Sequence, residues 1–414
     1  MTAATTASRS GLSARGVKAA ILLAALGYFV DIYDLILFSI VRVKSLQAIG
    51  VADDMLLTSG AMLLKSQMRG MLLGGLLWGI LGDKKGRLSV LFGSIFMYSA
   101  ANIANGFVTS LDAYSWLRFV AGVGLAGELG AGITLVSEIM SKESRGYGTM
   151  IVAGVGILGG VAAGLIGDRF DWRVAYWIGG VMGMALLALR IGVYESGLFT
   201  QMAGASVARG DFLMLFKDRR RFVKYLCSIL VGIPIWFVIG VLVTFSPEFG
   251  KALGMAKLPN PAMAVLYLYL SCALGDFLSG GLSQLVCSRK KVAYAFICAV
   301  AALVALFLTN RGGSLNGFYA LCFALGLASG YWAVFVTMAS EQFGTNIRAT
   351  VTTTVPNFVR GALDPMLTFF QIAKSQWGIL SGAGVVGGCV VVVALLALTR
   401  LDETYGKELN YFEK

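Results

Sequence analysis

The sequence holds no histidine and little charge: Asp, Glu, Lys and Arg make up 14% of its 414 residues, against about 25% in soluble globular proteins. Its six cysteines include no Cys-x-x-Cys pair. A Cys/His metal site or a disulfide framework is therefore not expected, and no cofactor is assigned. Cys227, Cys272, Cys287, Cys298, Cys322 and Cys389 all fall in or beside apolar runs of the second half and read as small packing residues. No P-loop, zinc motif or nucleophile–histidine pair occurs, which argues against ATP-driven pumping and against a membrane-embedded enzyme. Short alternating segments are missing as well, which excludes a closed β-barrel.

What fills the chain instead is apolar residue, 57% of the total, with a mean hydropathy of +0.78. The runs are roughly 20 to 25 residues long, enough to cross a hydrocarbon core about 30 Å thick. Twelve spans are predicted, at 17–40, 57–82, 88–108, 115–140, 147–167, 173–195, 223–247, 262–286, 291–309, 317–340, 350–373 and 376–399. No small-residue cleavage site follows the first run, so it reads as a retained span. The fold expected is all-α: a polytopic membrane protein with twelve transmembrane helices in two six-helix, pseudo-symmetric bundles. A tail (1–16) precedes the N-terminal bundle (17–197), a linker (198–222) joins it to the C-terminal bundle (223–400), and a short tail (401–414) follows.

The net charge of +12 is distributed as topology and not as a nucleic-acid footprint. With the N-terminus placed inside, the loops and tails on that side carry 21 Lys/Arg, and the opposite side carries 8, Arg42 and Lys44 among them. That bias places both termini in the cytoplasm, in a bacterial inner membrane.

The halves repeat at one place. LVSEIMSKESRGYG carries Glu138 and Arg145 after span four. MASEQFGTNIRATV carries Glu341 and Arg348, with the same gap, after span ten. Parallel six-span halves form a transporter plan with the substrate site between them.

GILGDKKGRL, Gly79 to Leu88, follows span two and strongly resembles the signature loop of the major facilitator superfamily. The start of span four at Arg118 and the glycine-rich AGVGILGGVAAG of span five resemble that family's fourth and fifth helices, and the first-span stretch GYFVDIYDL and the tail LDETYGKELNYFE are similar to its metabolite:proton symporter and sugar-porter branch. The resemblance implies that Asp83, Arg87, Glu138 and Arg145 form a cytoplasmic lock, with Glu341 and Arg348 as the repeat's counterparts. Surface ion pairs worth about 0–1 kcal/mol are the plainer reading. The second copy of the loop, GGLSQLVCSRKK, has Gln284 where the acid would stand, which puts a charge lock there in doubt.

Ionisable residues inside spans are costly and mark function or internal pairing. Asp31 and Asp34 share a face of span one, and Lys65 and Arg69 share a face of span two. At 1.5 Å per residue, Asp31 lies about 14 Å, Lys65 about 12 Å and Arg69 about 18 Å from the outer ends of their spans. The depths overlap, so the two acids are expected to pair with the two bases. In the second half, Asp276 and Arg360 both fall near the midplane, and Asn357 stands one turn before Arg360, whose planar fork suits a carboxylate or a phosphate. Glu128 has no base assigned and is a candidate for a neutral, buried carboxyl. Arg190 is placed to snorkel. Tyr28, Tyr33, Trp236, Tyr267 and Trp332 are candidate lining residues, with packing or lipid contact as the alternative.

The function expected is a monomeric secondary active transporter of a small, anionic metabolite. It would work by alternating access and be proton-coupled through Asp31, Asp34 and Glu128, with Lys65, Arg69, Asp276, Asn357 and Arg360 at the substrate. Its partners are that substrate, protons and the bilayer, not nucleic acid. An exporter, a drug/proton antiporter or a neutral-sugar carrier is the alternative within the fold, although few Gln, Asn and Trp residues lie at mid-span. From another class, a non-transporting receptor or sensor would want an appended soluble domain, which the short tails do not form.

Overall fold

A computed structural model describes residues 14–85, 87–128, 130, 145–195, 212 and 214–407. Among the described residues every regular element is helical, as lipid requires of a chain that must satisfy its backbone polar groups internally. The long helices are α1 (Ala14–Ala48), α2 (Leu56–Lys85), α3 (Arg87–Asn105), α4 (Leu111–Leu125), α5 (Arg145–Arg169) and α6 (Trp172–Glu195) in the first half. The second half has α7 (Arg219–Phe237), α8 (Pro261–Leu285), α9 (Arg289–Thr309), α10 (Leu315–Ser329), α11 (Trp332–Glu341), α12 (Thr345–Gly361) and α13 (Leu363–Arg400). Within the described residues each expected span is matched by helix, with α10 and α11 together forming the tenth. Polar residues start several of them: the side chains of Ser110, Asn260, Ser288 and Ser314 accept amide N–H bonds at the N-caps of α4, α8, α9 and α10.

Several helices depart from the regular form. The end of α7 passes into a π-helical segment, Val238–Val243. The tenth crossing breaks at Gly330–Tyr331, between α10 and α11. Within α13, Gly378 adopts φ 78°, a left-handed turn that glycine takes without a Cβ penalty. There the chain reverses, and Gly382 sits where a side chain would collide with the backbone of Ala373 and Lys374.

Sequence neighbours are not always spatial ones. The main partner of α1 is α5, and α2 packs chiefly on α4. Glycine makes this possible, since a Cβ on Gly159 would strike the Phe29 carbonyl of α1 and one on Gly122 the Gln67 carbonyl of α2. Other glycines of α5, Gly160 and Gly164, meet Tyr269 and Leu266 of α8. Two seams therefore join the halves, α5 against α8 and α2 against α12.

The first span is longer than expected. It continues beyond Ile40 to Ala48 and takes Arg42 and Lys44 into the helix, so these are not loop charges. Arg42 is fully buried, and a buried charge persists only where it is paired. Its Nη2 lies 2.7 Å from each carboxylate oxygen of Glu248. Lys44 Nζ donates to the Gly167 carbonyl at 3.2 Å.

Candidate functional site

Charged side chains from both halves face each other between the two seams. Arg360, one residue before the end of α12, is fully buried, with its Nη1 3.6 Å from Asp31 Oδ2 on α1. That separation is too long for a hydrogen bond. Both oxygens of Asp31, and Nε and Nη1 of Arg360, lack a hydrogen-bond partner. The Trp332 ring centre lies 5.8 Å from the Arg360 guanidinium carbon. Tyr28 and Tyr269 lie where the charges of both Arg360 and Asp31 reach them. A guanidinium with open donors beside an aromatic face is built to take a carboxylate bidentately.

The expected pairing of Asp31 and Asp34 with Lys65 and Arg69 does not occur. Both bases turn to Asp364 at the start of α13: Arg69 donates to its two oxygens at 2.7 and 3.3 Å, and Lys65 Nζ lies 3.8 Å away. Matching depth was not enough, because α1 packs chiefly on α5, while α2 packs on α4 and, across the halves, on α12 and α13. Asp34 instead sits among Arg118 of α4, Asp31 and Asn102 of α3. Arg118 lies over the rings of Phe38 and Tyr176 at 5.5 and 5.7 Å.

Asp276 and Arg360 do not form a pair. Asp276 Oδ1 accepts the Ala333 amide at 3.0 Å, so the carboxylate sits at the N-terminus of α11, where the helix break leaves unpaired N–H groups. Asn357 is committed across the halves, its Nδ2 donating to the Ala126 carbonyl at 2.8 Å and to the Thr353 carbonyl at 3.0 Å. Glu128 does have a base. Arg190 donates to its oxygens at 2.5 and 3.1 Å and to the Leu23 carbonyl at 3.0 Å, all buried. Arg190 thus turns inward and does not snorkel.

Of the candidate aromatics, Trp332 and Tyr28 border Arg360. Tyr33 donates to the Ala175 carbonyl at 2.9 Å, Tyr267 stacks on Tyr319 at 5.4 Å, and Trp236 is buried. The cysteines are free thiols, buried at Cys227, Cys272 and Cys322 and exposed at Cys287, Cys298 and Cys389.

Glu138 and the side chains of Asp83, Arg87 and Arg145 lie outside the described residues, as do most of the linker and 408–414 of the tail. At the equivalent end of the second half a charge cluster does form, despite Gln284. Glu341 takes Arg289, not Arg348, with bonds of 2.6 and 2.9 Å. Arg348 donates to the Phe343 carbonyl at 3.0 Å and the Ser340 carbonyl at 3.3 Å. The missing acids come from the tail. Glu403 accepts from Ser288 and from the Arg289 and Lys290 amides at the start of α9. Asp402 accepts from Lys224 at 2.7 Å, and that bond holds its carboxyl below the usual aspartate range. Partial burial raises Glu403, but the Ser288 and backbone bonds outweigh it and hold the group below the usual glutamate value.

At the opposite end Arg42 closes a second cross-half contact. Besides Glu248 it reaches the Leu56 carbonyl at 3.1 Å and the Thr244 carbonyl at 3.3 Å, and it lies 4.6 Å over the Phe245 ring. Thr244 Oγ1 donates to Ser39 Oγ at 2.9 Å. Sequence reasoning missed this contact because Arg42 follows the apolar run and looked like a loop charge.

A sequence model of the Major Facilitator Superfamily matches residues 19–363. The chain belongs to the major facilitator superfamily. It is thus a transporter and not an enzyme, as the signature loop implied. This facilitator is 26% identical over 349 residues to the 3-(3-hydroxy-phenyl)propionate transporter of Escherichia coli K12, covering 80% of this chain and 84% of the relative. It is 26% identical over 401 residues to the cis,cis-muconate transport protein of Acinetobacter baylyi, covering 93% of each. The crystal structure of a D-xylose-proton symporter superposes with a TM-score of 0.71 at 17% identity, over 95% of this chain and 100% of the other, which establishes the fold.

Proposed function

We propose that this facilitator is a proton-coupled carrier of a small organic anion, most simply an unsaturated or aromatic carboxylate, working by alternating access. The observation that carries the reading is Arg360, a buried guanidinium at the meeting of the halves with unused donors, an aryl face at Trp332 and a carboxylate, Asp31, too far for a hydrogen bond. The relatives named for hydroxyphenylpropionate and for muconate support the substrate class.

In this scheme Asp31, when ionised, competes with the substrate carboxylate for Arg360. Protonation of Asp31 removes the competitor, and substrate binding then keeps the proton in place. Asp34 of α1 with Arg118 of α4 forms a second acid–base couple, while Glu128, clamped by Arg190, ties the turn after α4 to α6. Lys65, Arg69 and Asp364 form a charge set along the seam of α2 with α12 and α13. The bundles at 17–197 and 223–400 rock about the 198–222 linker as a monomer in a bacterial inner membrane, both termini in the cytoplasm. Asp83, Arg87, Glu138 and Arg145 lock the cytoplasmic side, with Glu341 and Arg289 as their partner cluster.

Reconstitution into proteoliposomes tests this. With an imposed pH gradient, 3-(3-hydroxyphenyl)propionate or cis,cis-muconate is expected to accumulate and D-xylose is not. Arg360→Lys is expected to lower uptake more than tenfold, and Asp31→Asn to abolish the response to the gradient. Uptake of D-xylose instead of the acids, or an Asp31→Asn variant that still follows the gradient, overturns the reading.

A further inference from the structure

The N-terminal bundle carries a second polar feature, apart from the seam between the halves. Ser99, Asn102 and Asn105 are spaced three residues apart on α3 and so form one stripe along that helix. All three are fully buried. Ser99 Oγ, Asn102 Nδ2 and both amide atoms of Asn105 have no hydrogen-bond partner, nor do the neighbouring Tyr98 Oη and Trp177 Nε1. Each such group costs about 1–3 kcal/mol when left unpaired. A polar stripe that served only to hold helices together would be paired internally. Tyr114 and Tyr176 of the same bundle are: Tyr114 Oη bonds to Tyr176 Oη at 2.7 Å and donates to Ser45 Oγ at 3.2 Å.

The stripe leads somewhere at both ends. A side chain on Gly183 of α6 would run into the Ser99 hydroxyl, and one on Gly179, a turn away, into Asp34 Oδ1. Ser99 and Asp34 therefore face the same strip of α6. Asn102 faces the Asp34 carboxylate without meeting hydrogen-bond geometry, and its Oδ1 lies 3.5 Å from Arg118 Nη1. Both Asp34 oxygens, and Nε and Nη2 of Arg118, are themselves unpaired. At the other end Asn105 closes α3, about 9 Å along the helix from Ser99. Phe107, two residues on, is 66% exposed, and Trp177 Nε1 abuts Gly106. The groups that surround Asp34 are Asp31 and Tyr33 on α1, Tyr98 on α3, Arg118 on α4 and Tyr176 on α6. Arg118 alone among them is cationic.

We propose that the Asn102–Asn105 face of α3 is a hydrated proton track that connects Asp34 to the outer water through the N-terminal bundle, without passing the site at Arg360, with Ser99 closing its inner end. The inference rests on the proton-coupled reading above and adds a route to it. Buried polar atoms that lack protein partners are where internal water binds, typically with about three bonds each. The amides of Asn102 and Asn105 hold the water, and that water passes the proton on. One proton leaves the outer water and forms an O–H bond on the Asp34 carboxylate. Each relay group gains and loses one, and nothing is oxidised or reduced.

Infrared difference spectroscopy on the full-length protein in lipid tests the track without a substrate. The carboxyl band of Asp34 is the one lost in Asp34→Asn, and its rate of hydrogen–deuterium exchange is read across pH. Exchange is expected to slow at least tenfold in Asn105→Leu, which keeps the volume but removes the polar pair at the mouth, and to recover in Asn105→Ser. An unchanged rate in Asn105→Leu, a loss not recovered by Asn105→Ser, or no exchangeable Asp34 band at any pH overturns the proposal. In proteoliposomes Asn105→Leu is expected to lose gradient-driven uptake and keep substrate exchange at equal pH. A wild type that ignores the gradient refutes the proton-coupled reading itself, and this outcome is separate from the infrared result on the track.

Discussion

Glu248→Gln is the most direct test of how the far end of this facilitator is held shut. Arg42 is fully buried and Glu248 about one-fifth exposed, with both carboxylate oxygens 2.7 Å from one guanidinium nitrogen. Losing the acid's charge leaves a buried cation with the Leu56 and Thr244 carbonyls for partners. A hydrogen bond to a charged group contributes about 1.5–3 kcal/mol. Because the contact joins α1 to the segment after α7, it exists only while the two halves touch there. The full amount is therefore charged against the closed state, and about 1.4 kcal/mol is a factor of ten in population. A shift of roughly 10- to 100-fold toward the state open at that end follows. Spin labels at the exposed positions Met55 and Leu258, on opposite halves, report it by double electron–electron resonance as a growing long-distance population. If the distance distribution stays the same in both Glu248→Gln and Glu248→Ala, the pair is not a latch and the reasoning fails.

Gly159→Ala drives a methyl into the Phe29 backbone of α1 and is expected to cost about 1–3 kcal/mol, read as a lower melting temperature in detergent. Asp364→Asn is expected to change stability by less than about 1 kcal/mol, because Arg69 is largely exposed, yet to raise the half-saturation concentration for an anion as Lys65 and Arg69 compete with Arg360. The tail contact of Asp402 should follow pH in one direction. A carboxyl held below its ordinary value of 3.8 stabilises fully above that pH and loses its hold as the pH falls through the lowered value. A nitroxide at Lys407 is therefore expected to gain mobility only below about pH 4, and loosening between pH 5 and 7 would contradict this.

Hydropathy located the spans because burial in lipid constrains every residue of a crossing helix, and the signature loop placed the chain in its family. Pairing was less legible. Asp31 and Arg360 are held 3.6 Å apart from opposite halves of the chain, and nothing in the spacing of either helix says which helices will be neighbours. Counting depth along consecutive spans paired α1 with α2, whereas glycines on α5 bring α1 to that helix instead. Arg42 was lost because hydropathy ends a span where charge begins, although the helix runs on when a partner awaits it. Ser99, Asn102 and Asn105 passed unnoticed because neutral polar residues raise no alarm in an apolar run. Their three-residue period was the available signal.

The reversal at Gly378 has a mechanical consequence. Arg360 is the penultimate residue of α12, and α13 starts after a single residue, Ala362. From there the chain runs through one tight glycine corner to Arg400 and into the residues that cap α9. No slack loop lies between the guanidinium and the tail. On the proposed reading, a tilt of Arg360's helix on anion binding would be transmitted as in a crank, with Gly378 as the elbow, to the Asp402–Glu403 clasp at the chain's end. Occupancy of that site would then be readable at the chain's C-terminal end.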